Sequence, residues 1–339
     1  MTGTVAPLTI VMYHYVRDLP RTRYPKIKGL LTERFVGQLN YLQKHHSIVS
    51  VDQVMSAYLD GDELPTRPCL LTFDDGFIDH YVTVFPILAE RSLSAGFFPP
   101  AQPILERKVV EAHKLHLILA TVPDPEDLPL QIFKLLLPYR KECFLPGDEE
   151  LYRRYAIPDP YDTPNVRFVK VMLNKVLPPH IGTDICDQLF GAIVSEDEAA
   201  IAQECYMDLP QLRCMVRNGM HIGGHGYRHH RLSTLNESEQ RREIQGTVDF
   251  LSSVYDQVPA RWVMSYPYGD RNETTVKLLG ETTCSLSLLS IPDLVEQTPS
   301  LPAEMPRLDT NDLPWDANTE PNEWTRRVLQ SSETSRVNR

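Results

Sequence analysis

Short apolar runs alternate with amphipathic stretches at both ends of this chain, and the middle breaks the rhythm. Leu8 to Met12 is apolar almost throughout, as a buried strand would be; in Glu33 to His46, Phe35, Leu39 and Leu42 fall on one helical face. Leu70 to Phe73 predicts a second strand, Asp79 to Arg91 a helix with Val84, Ile87 and Leu88 inward, and Ala95 to Phe98 a third strand. Strands alternating with helices build parallel βα units. From residue 101 to about 208 the β-branched runs give way to helical stretches, Glu111 to Ala120 and Leu130 to Leu137 among them, joined by proline-rich connectors. The βα rhythm resumes at Leu209: a helix ending near Gly219, a strand over Met220 to Gly224, a helix over Glu237 to Val254, and a strand over Trp262 to Tyr266. Asn236 and Glu239 form a capping box at the start of that last helix. The expected organisation is a βα body in two parts, residues 1–100 and 209–325, around a mainly helical insertion at 101–208, with a flexible polar tail at 326–339.

Composition narrows the function. Of 339 residues, 42% are hydrophobic and 23% charged, so a packed core is expected rather than disorder. The formal net charge of −11 repels a polyanion, which argues against nucleic acid as a partner. The scattered cysteines form no CxxC pair and are read as reduced. Met1 to Pro7 lacks a basic residue, and Leu8 to Met12 is too short for a signal peptide or a membrane span. A cytoplasmic location without a membrane span is expected.

Three clusters carry candidate chemistry, each at the end of an expected strand, where βα folds place active sites. The first is Thr72-Phe73-Asp74-Asp75-Gly76. Adjacent carboxylates at the end of a buried strand need compensation: a metal, a proton or a partner. By itself the pair is equally a helix N-cap with a spare acid. The second is His225-Gly-Tyr-Arg-His229, whose four-residue spacing would bring both imidazoles together on one helical turn. In a histidine-rich run such a pair also arises by chance. The third, Ser265-Tyr-Pro-Tyr-Gly269, reads alone as a rigid turn. Together they supply three ligands for a metal with an open position, and a general base.

TFDDG, then HxxxH, then PYG, on a βα background, resembles the polysaccharide deacetylase superfamily with its NodB-homology domain. That resemblance implies an α/β fold, a distorted (β/α) barrel of about seven strands carrying the helical insertion. It also implies hydrolysis of an N-acetyl group on an amino sugar in a glycan, glycolipid or nucleotide-linked sugar. By the same resemblance Asp75, His225 and His229 match the metal ligands, Asp74 the general base, and Tyr268 the residue whose backbone N–H faces the oxyanion. The implied cofactor is one divalent ion, Zn²⁺ first, with Co²⁺, Ni²⁺ or Mn²⁺ as alternatives. The family's general-acid histidine ends a late LxIxLxH strand, and no histidine follows His230 here. Leu8-Thr-Ile10-Val-Met12-Tyr-His14 reproduces that spacing at the other end, as in the permuted branch of the family, and makes His14 the expected acid. A core histidine bonded to a carbonyl is the alternative.

Two departures stand out. Gly226 replaces the usual Ser or Thr, and Ser265 replaces an arginine that normally pairs with an acid. Arg307 is a candidate to replace that arginine or to contact substrate, with a surface arginine as the alternative. Lys26 and Lys28, in a basic loop after His14, are candidate contacts for an anionic part of the substrate, or simply solvated charges. The competing functions are another C–N hydrolysis on the same site, by a deformylase or amidohydrolase, and an inactive carbohydrate-binding member of the fold. The expected partner is a small molecule or glycan with an N-acetylated sugar, and the insertion offers a surface for homo-oligomer contacts.

Overall fold

The structure, a computed structural model, describes residues 6–158, 162–297 and 303–337. Its strands in chain order are β1 (Thr9–Tyr13), β2 (Val16–Arg17), β3 (Leu30–Leu31), β4 (Ser47–Val49), β5 (Pro68–Asp74), β6 (Gly96–Phe98), β7 (His221–Ile222), β8 (Trp262–Ser265), β9 (Cys284–Leu288), β10 (Glu304–Met305) and β11 (Leu308–Asp309). Every pairing between these strands is parallel. The order β11-β1-β5-β6-β7 forms one sheet, with β4 also on β5, and β10-β9-β8 forms a second. A parallel bridge from Gly224 to Met264 links the end of β7 to β8. This α/β architecture agrees with the fold class expected from the sequence.

Strand alternation sorts side chains into two cores, because successive residues point to opposite faces. Leu8, just before β1, and Ile10 within it join Leu70, Phe98, Val263, Leu286, Leu288 and Met305 in one apolar cluster. Val11 and Tyr13 face the other way, among Leu71, Phe73, Phe97 and the helices that cover the sheet. With both faces covered, the strands read as continuous apolar runs. In phase with the first set, Thr72 and Asp74 on β5 and Ser265 on β8 follow apolar residues, so polar groups come together where the strands end.

The chain divides into two compact units. The first comprises residues 1–18, 29–107 and 202–339 and contains all the strands. The second comprises residues 19–28 and 108–201 and is helical, with Phe168 packed between Phe133 and Tyr152. The helical unit is shorter than the expected insertion at 101–208. Its lower limit shifts because the Ala101–Glu106 helix starts against the strand-bearing unit: Ala101 and Gln102 donate their N–H groups to the carbonyls of Gly226 and Tyr227. The helical unit also gains the 19–28 loop. There Lys28 pairs with Asp162 at 2.8 Å and the Lys26 ammonium reaches the Val122 carbonyl at 3.4 Å.

The terminal segment differs from expectation as well. A helix spans Glu323–Val337 where a flexible tail was expected. Its polar composition hides an i, i+4 pair: Trp324 packs against the core and Val328 is buried in it. Among the described residues, no helix is long and apolar enough to cross a membrane.

Candidate active site

β5 ends in Asp74, and the chain then turns sharply through Asp75 at φ +76° and Gly76 at φ +69°. Left-handed backbone is costly for an aspartate and persists only when its surroundings enforce it. Here the Asp75 N–H is tied to the Phe98 carbonyl at 3.1 Å, and a Cβ on Gly76 would stand 2.5 Å from the Pro99 Cβ. The turn sends the two neighbouring carboxylates to different partners.

Asp75 faces two imidazoles. Its Oδ1 lies 3.5 Å from Nε2 of His225 and 3.3 Å from Nε2 of His229. One ligand atom from each of the three residues lies within 4.8 Å of the others, and all three residues are buried. The histidines do not share a helical turn, as the four-residue spacing had suggested. They sit in a loop after β7, reversed by Gly226 at φ +73° and His229 at φ +64°. Gly226 stands where the family pattern has Ser or Thr, and a Cβ there would come within 3.3 Å of Pro267. The loop is held by a residue absent from the sequence motifs, Glu243, which accepts the N–H groups of Tyr227 at 3.0 Å and Arg228 at 2.9 Å. Glu243 is buried on the Glu237–Tyr255 helix, in phase with Gln240, Ile244, Thr247 and Leu251. A glutamate in phase with an apolar stripe was the sequence signal for it.

The donor set suits a divalent cation. His225 donates from Nδ1 to the Ser265 carbonyl at 2.7 Å, which fixes its tautomer and turns the Nε2 lone pair toward Asp75. Two neutral imidazoles and a carboxylate, converging at this spacing, fit a three-ligand site with an open position. Burial alone would disfavour the His225 imidazolium, but the charges of Asp74 and Asp75 outweigh it and raise its pKa. Such a concentration of negative charge is what a bound cation would neutralise in the imidazolium's place.

Asp74 is gripped by Arg307. Arg307 Nη1 donates to Oδ1 at 3.0 Å and Nη2 to Oδ2 at 2.7 Å, a bidentate pair. The rest of the guanidinium is spent on the Leu289 carbonyl and on the hydroxyls of Thr72 and Ser265. Ser265 in turn donates to Asp74 Oδ2 at 3.1 Å. Arg307 is 1% exposed, and its donors go to the Leu289 carbonyl, Thr72, Ser265 and Asp74. Burial would push the Asp74 carboxyl up, but the Arg307, His225 and His14 charges together hold it below the usual carboxylate range.

His14 follows β1, in phase with Ile10 and Met12 and within electrostatic reach of Asp74. Its carbonyl accepts from Nε2 of His80 at 2.9 Å, a buried histidine whose pKa burial lowers to about 4. Tyr268 lies in the Pro267–Gly269 turn at φ +58°, its ring 4.7 Å from that of His229. Lys26 and Lys28, by contrast, take their partners Val122 and Asp162 from the helical unit. Asp74, Asp75, His225, His229, Tyr268 and Arg307 are thus assembled from β5, the loop after β7, the turn after β8 and the β10–β11 link.

Residues 197–285 match the family model for polysaccharide deacetylase, a stretch containing His225, His229 and Tyr268 but not the Asp74-Asp75 turn. The chain is 29% identical over 117 residues to the putative polysaccharide deacetylase YxkH of Bacillus subtilis, which is 34% of this chain and only 37% of that protein. In fold it resembles IcaB from Ammonifex degensii (TM-score 0.55, 17% identity, covering 97% of this chain and 98% of that one). It also resembles the Streptococcus pyogenes deacetylase PplD in complex with acetate (TM-score 0.52, 15% identity, 97% and 99%). Residues 197–285 are thus similar to part of a polysaccharide deacetylase domain, and the chain spans little more than a third of the length of the curated relative it matches.

Proposed function

We propose that the protein is a metal-dependent hydrolase that removes an N-acetyl group from an amino sugar, releasing acetate and a free amine. The observation that carries this reading is the division of labour between adjacent buried aspartates: Asp75 against two imidazoles, Asp74 against Arg307. Asp75, His225 and His229 would hold one divalent cation, Zn²⁺ first, with Co²⁺, Ni²⁺ or Mn²⁺ as alternatives. When bound, such an ion supplies a Lewis acid that polarises an acyl oxygen and makes water more acidic.

The remaining steps belong to side chains and backbone. Asp74, kept ionised by Arg307, takes the proton of the attacking water. The Tyr268 backbone N–H donates to the oxyanion, a contribution worth the most where water is excluded. His14 protonates the departing amine, which is too basic to leave as an anion. The N-acetyl sugar is part of a glycan, a glycolipid or a nucleotide-linked sugar.

The test is acetate release, followed by mass spectrometry, from N-acetylglucosamine oligomers and N-acetylated sugar nucleotides, with Asp74→Asn as control. Acetate should appear with the native chain and fall by roughly 10²–10⁴-fold in the variant. Release of formate, ring opening of a cyclic amide, or no acetate from any N-acetyl compound would sink the reading.

A further inference from the structure

Arg231 lies two residues beyond His229 and is exposed. Its guanidinium carbon sits 4.1 Å from the centre of the Tyr268 ring, which is 42% exposed and in contact with the His229 ring. The stack is held from both sides. Ser233 donates its N–H to Asp270 at 3.0 Å and bonds the same carboxylate through its hydroxyl, tying the segment after Arg231 to the segment after Tyr268. Thr234 closes a turn on the Arg231 carbonyl through both its N–H and its hydroxyl. Among the described residues no carboxylate pairs with Arg231, and Asp270, two residues after Tyr268, is bonded to Ser233. A guanidinium lying on an aromatic face keeps its N–H fork in its own plane and free to bind.

An exposed guanidinium stacked on Tyr268 beside His229, at the lip of a site whose floor is acidic, is placed to receive an anion there. The fork matches the two oxygens of a carboxylate or phosphate. We propose that Arg231 is an anion-binding residue, and that the substrate carries a phosphate or carboxylate beside its N-acetylated sugar. The inference rests on the deacetylase reading for the sugar, but the anion contact is measurable by itself.

The experiment is calorimetric titration of the full chain with N-acetylglucosamine 1-phosphate, with N-acetylmuramic acid, and with the uncharged methyl glycoside of N-acetylglucosamine. One or both charged ligands should bind roughly 10- to 100-fold tighter than the neutral one. Which of the two is favoured identifies the anion. In Arg231→Gln, an exposed position where folding is readily verified by circular dichroism, the gap should close to within about threefold, the change expected when one charge-assisted contact is lost. Equal binding of charged and neutral ligands, binding of none of them, or a gap that survives Arg231→Gln would each overturn the proposal. Acetate assays on the same compounds separate the two ideas: an Arg231-dependent preference without acetate release keeps the anion site and defeats deacetylation.

Discussion

At the scale of single residues, the site depends on Asp74 staying charged in a dry place. A carboxylate with 2% of its side chain exposed is tolerated only because Arg307, itself fully buried, grips both oxygens. Removing one partner leaves an uncompensated charge. Arg307→Met should therefore cost about 3–5 kcal/mol in urea unfolding. The double variant Asp74→Asn with Arg307→Met should lose clearly less than the sum of the single losses, because each removes the other's reason to be paired. Additive losses would mean that the pair is not the energetic unit described. His14 supports a prediction of another kind. As general acid it serves only leaving groups that need a proton, so His14→Ala should slow an amide far more than an activated aryl ester of the same acyl group. Comparing the two rate losses decides the role, and equal losses would remove it. Neither relation depends on a contiguous motif: Ser265 and Arg307 lie 42 residues apart yet share a hydrogen bond, and only the missing arginine hinted that another had to arrive.

At the scale of elements, the site is made by strand ends and reversed loops rather than by helices. Four of its backbone positions, Asp75, Gly76, Gly226 and His229, are left-handed, and the turn carrying Tyr268 adds Tyr268 itself and Gly269. Gly76 is the most constrained of them, with Pro99 pressed against the place of its missing side chain. Gly61 offers an internal control, since its φ is also positive, +77°, but nothing lies within 4 Å of its would-be Cβ. Gly76→Ala should destabilise by roughly 2–4 kcal/mol, adding overpacking to backbone strain, while Gly61→Ala should cost about 1 kcal/mol. Urea midpoints check both, and similar losses at the two positions would show that the Pro99 contact is relieved without cost. This is also where sequence reasoning fell short. The periodicities of Glu33 to His46 and Glu237 to Val254 announced their helices because burial on one face forces the pattern. The His225–His229 spacing suggested a helical turn because it is silent about φ; Gly226 was the clue to a loop. β10 and β11, of two residues each, are too short for any alternation to register, so Arg307 was a candidate through the missing motif arginine and not through periodicity.

At the scale of the whole molecule, the order β11-β1-β5-β6-β7 sets β1 between a strand from the end of the chain and one from its first third. His14, 61 residues before Asp75 by position, therefore emerges on the same side of the sheet as Asp74. The strand-bearing unit also holds histidines that are neutral by burial. His46 has its pKa lowered to about 4 by burial, with His45 and Arg67 adding to the effect. Between its unfolded value near 6.5 and about 4, the unfolded chain binds a proton that the folded chain refuses. Its contribution is thus present above pH 6.5 and is lost progressively as pH falls toward 4. Moving from pH 7.5 to 5.0, native stability should drop, and His46→Gln should lose about 2 kcal/mol less over that interval. Identical drops in urea titrations would show that folded His46 protonates as readily as unfolded. The central claim, one cation held by Asp75, His225 and His229 and required for hydrolysis, meets its most direct test in a titration of the chelator-stripped chain. Acetate release from an N-acetylated glucosamine oligomer should rise with added Zn²⁺ and saturate at one equivalent per chain, with His229→Ala flat throughout. Full activity in the stripped chain, or saturation in His229→Ala at the same equivalence point, would contradict it.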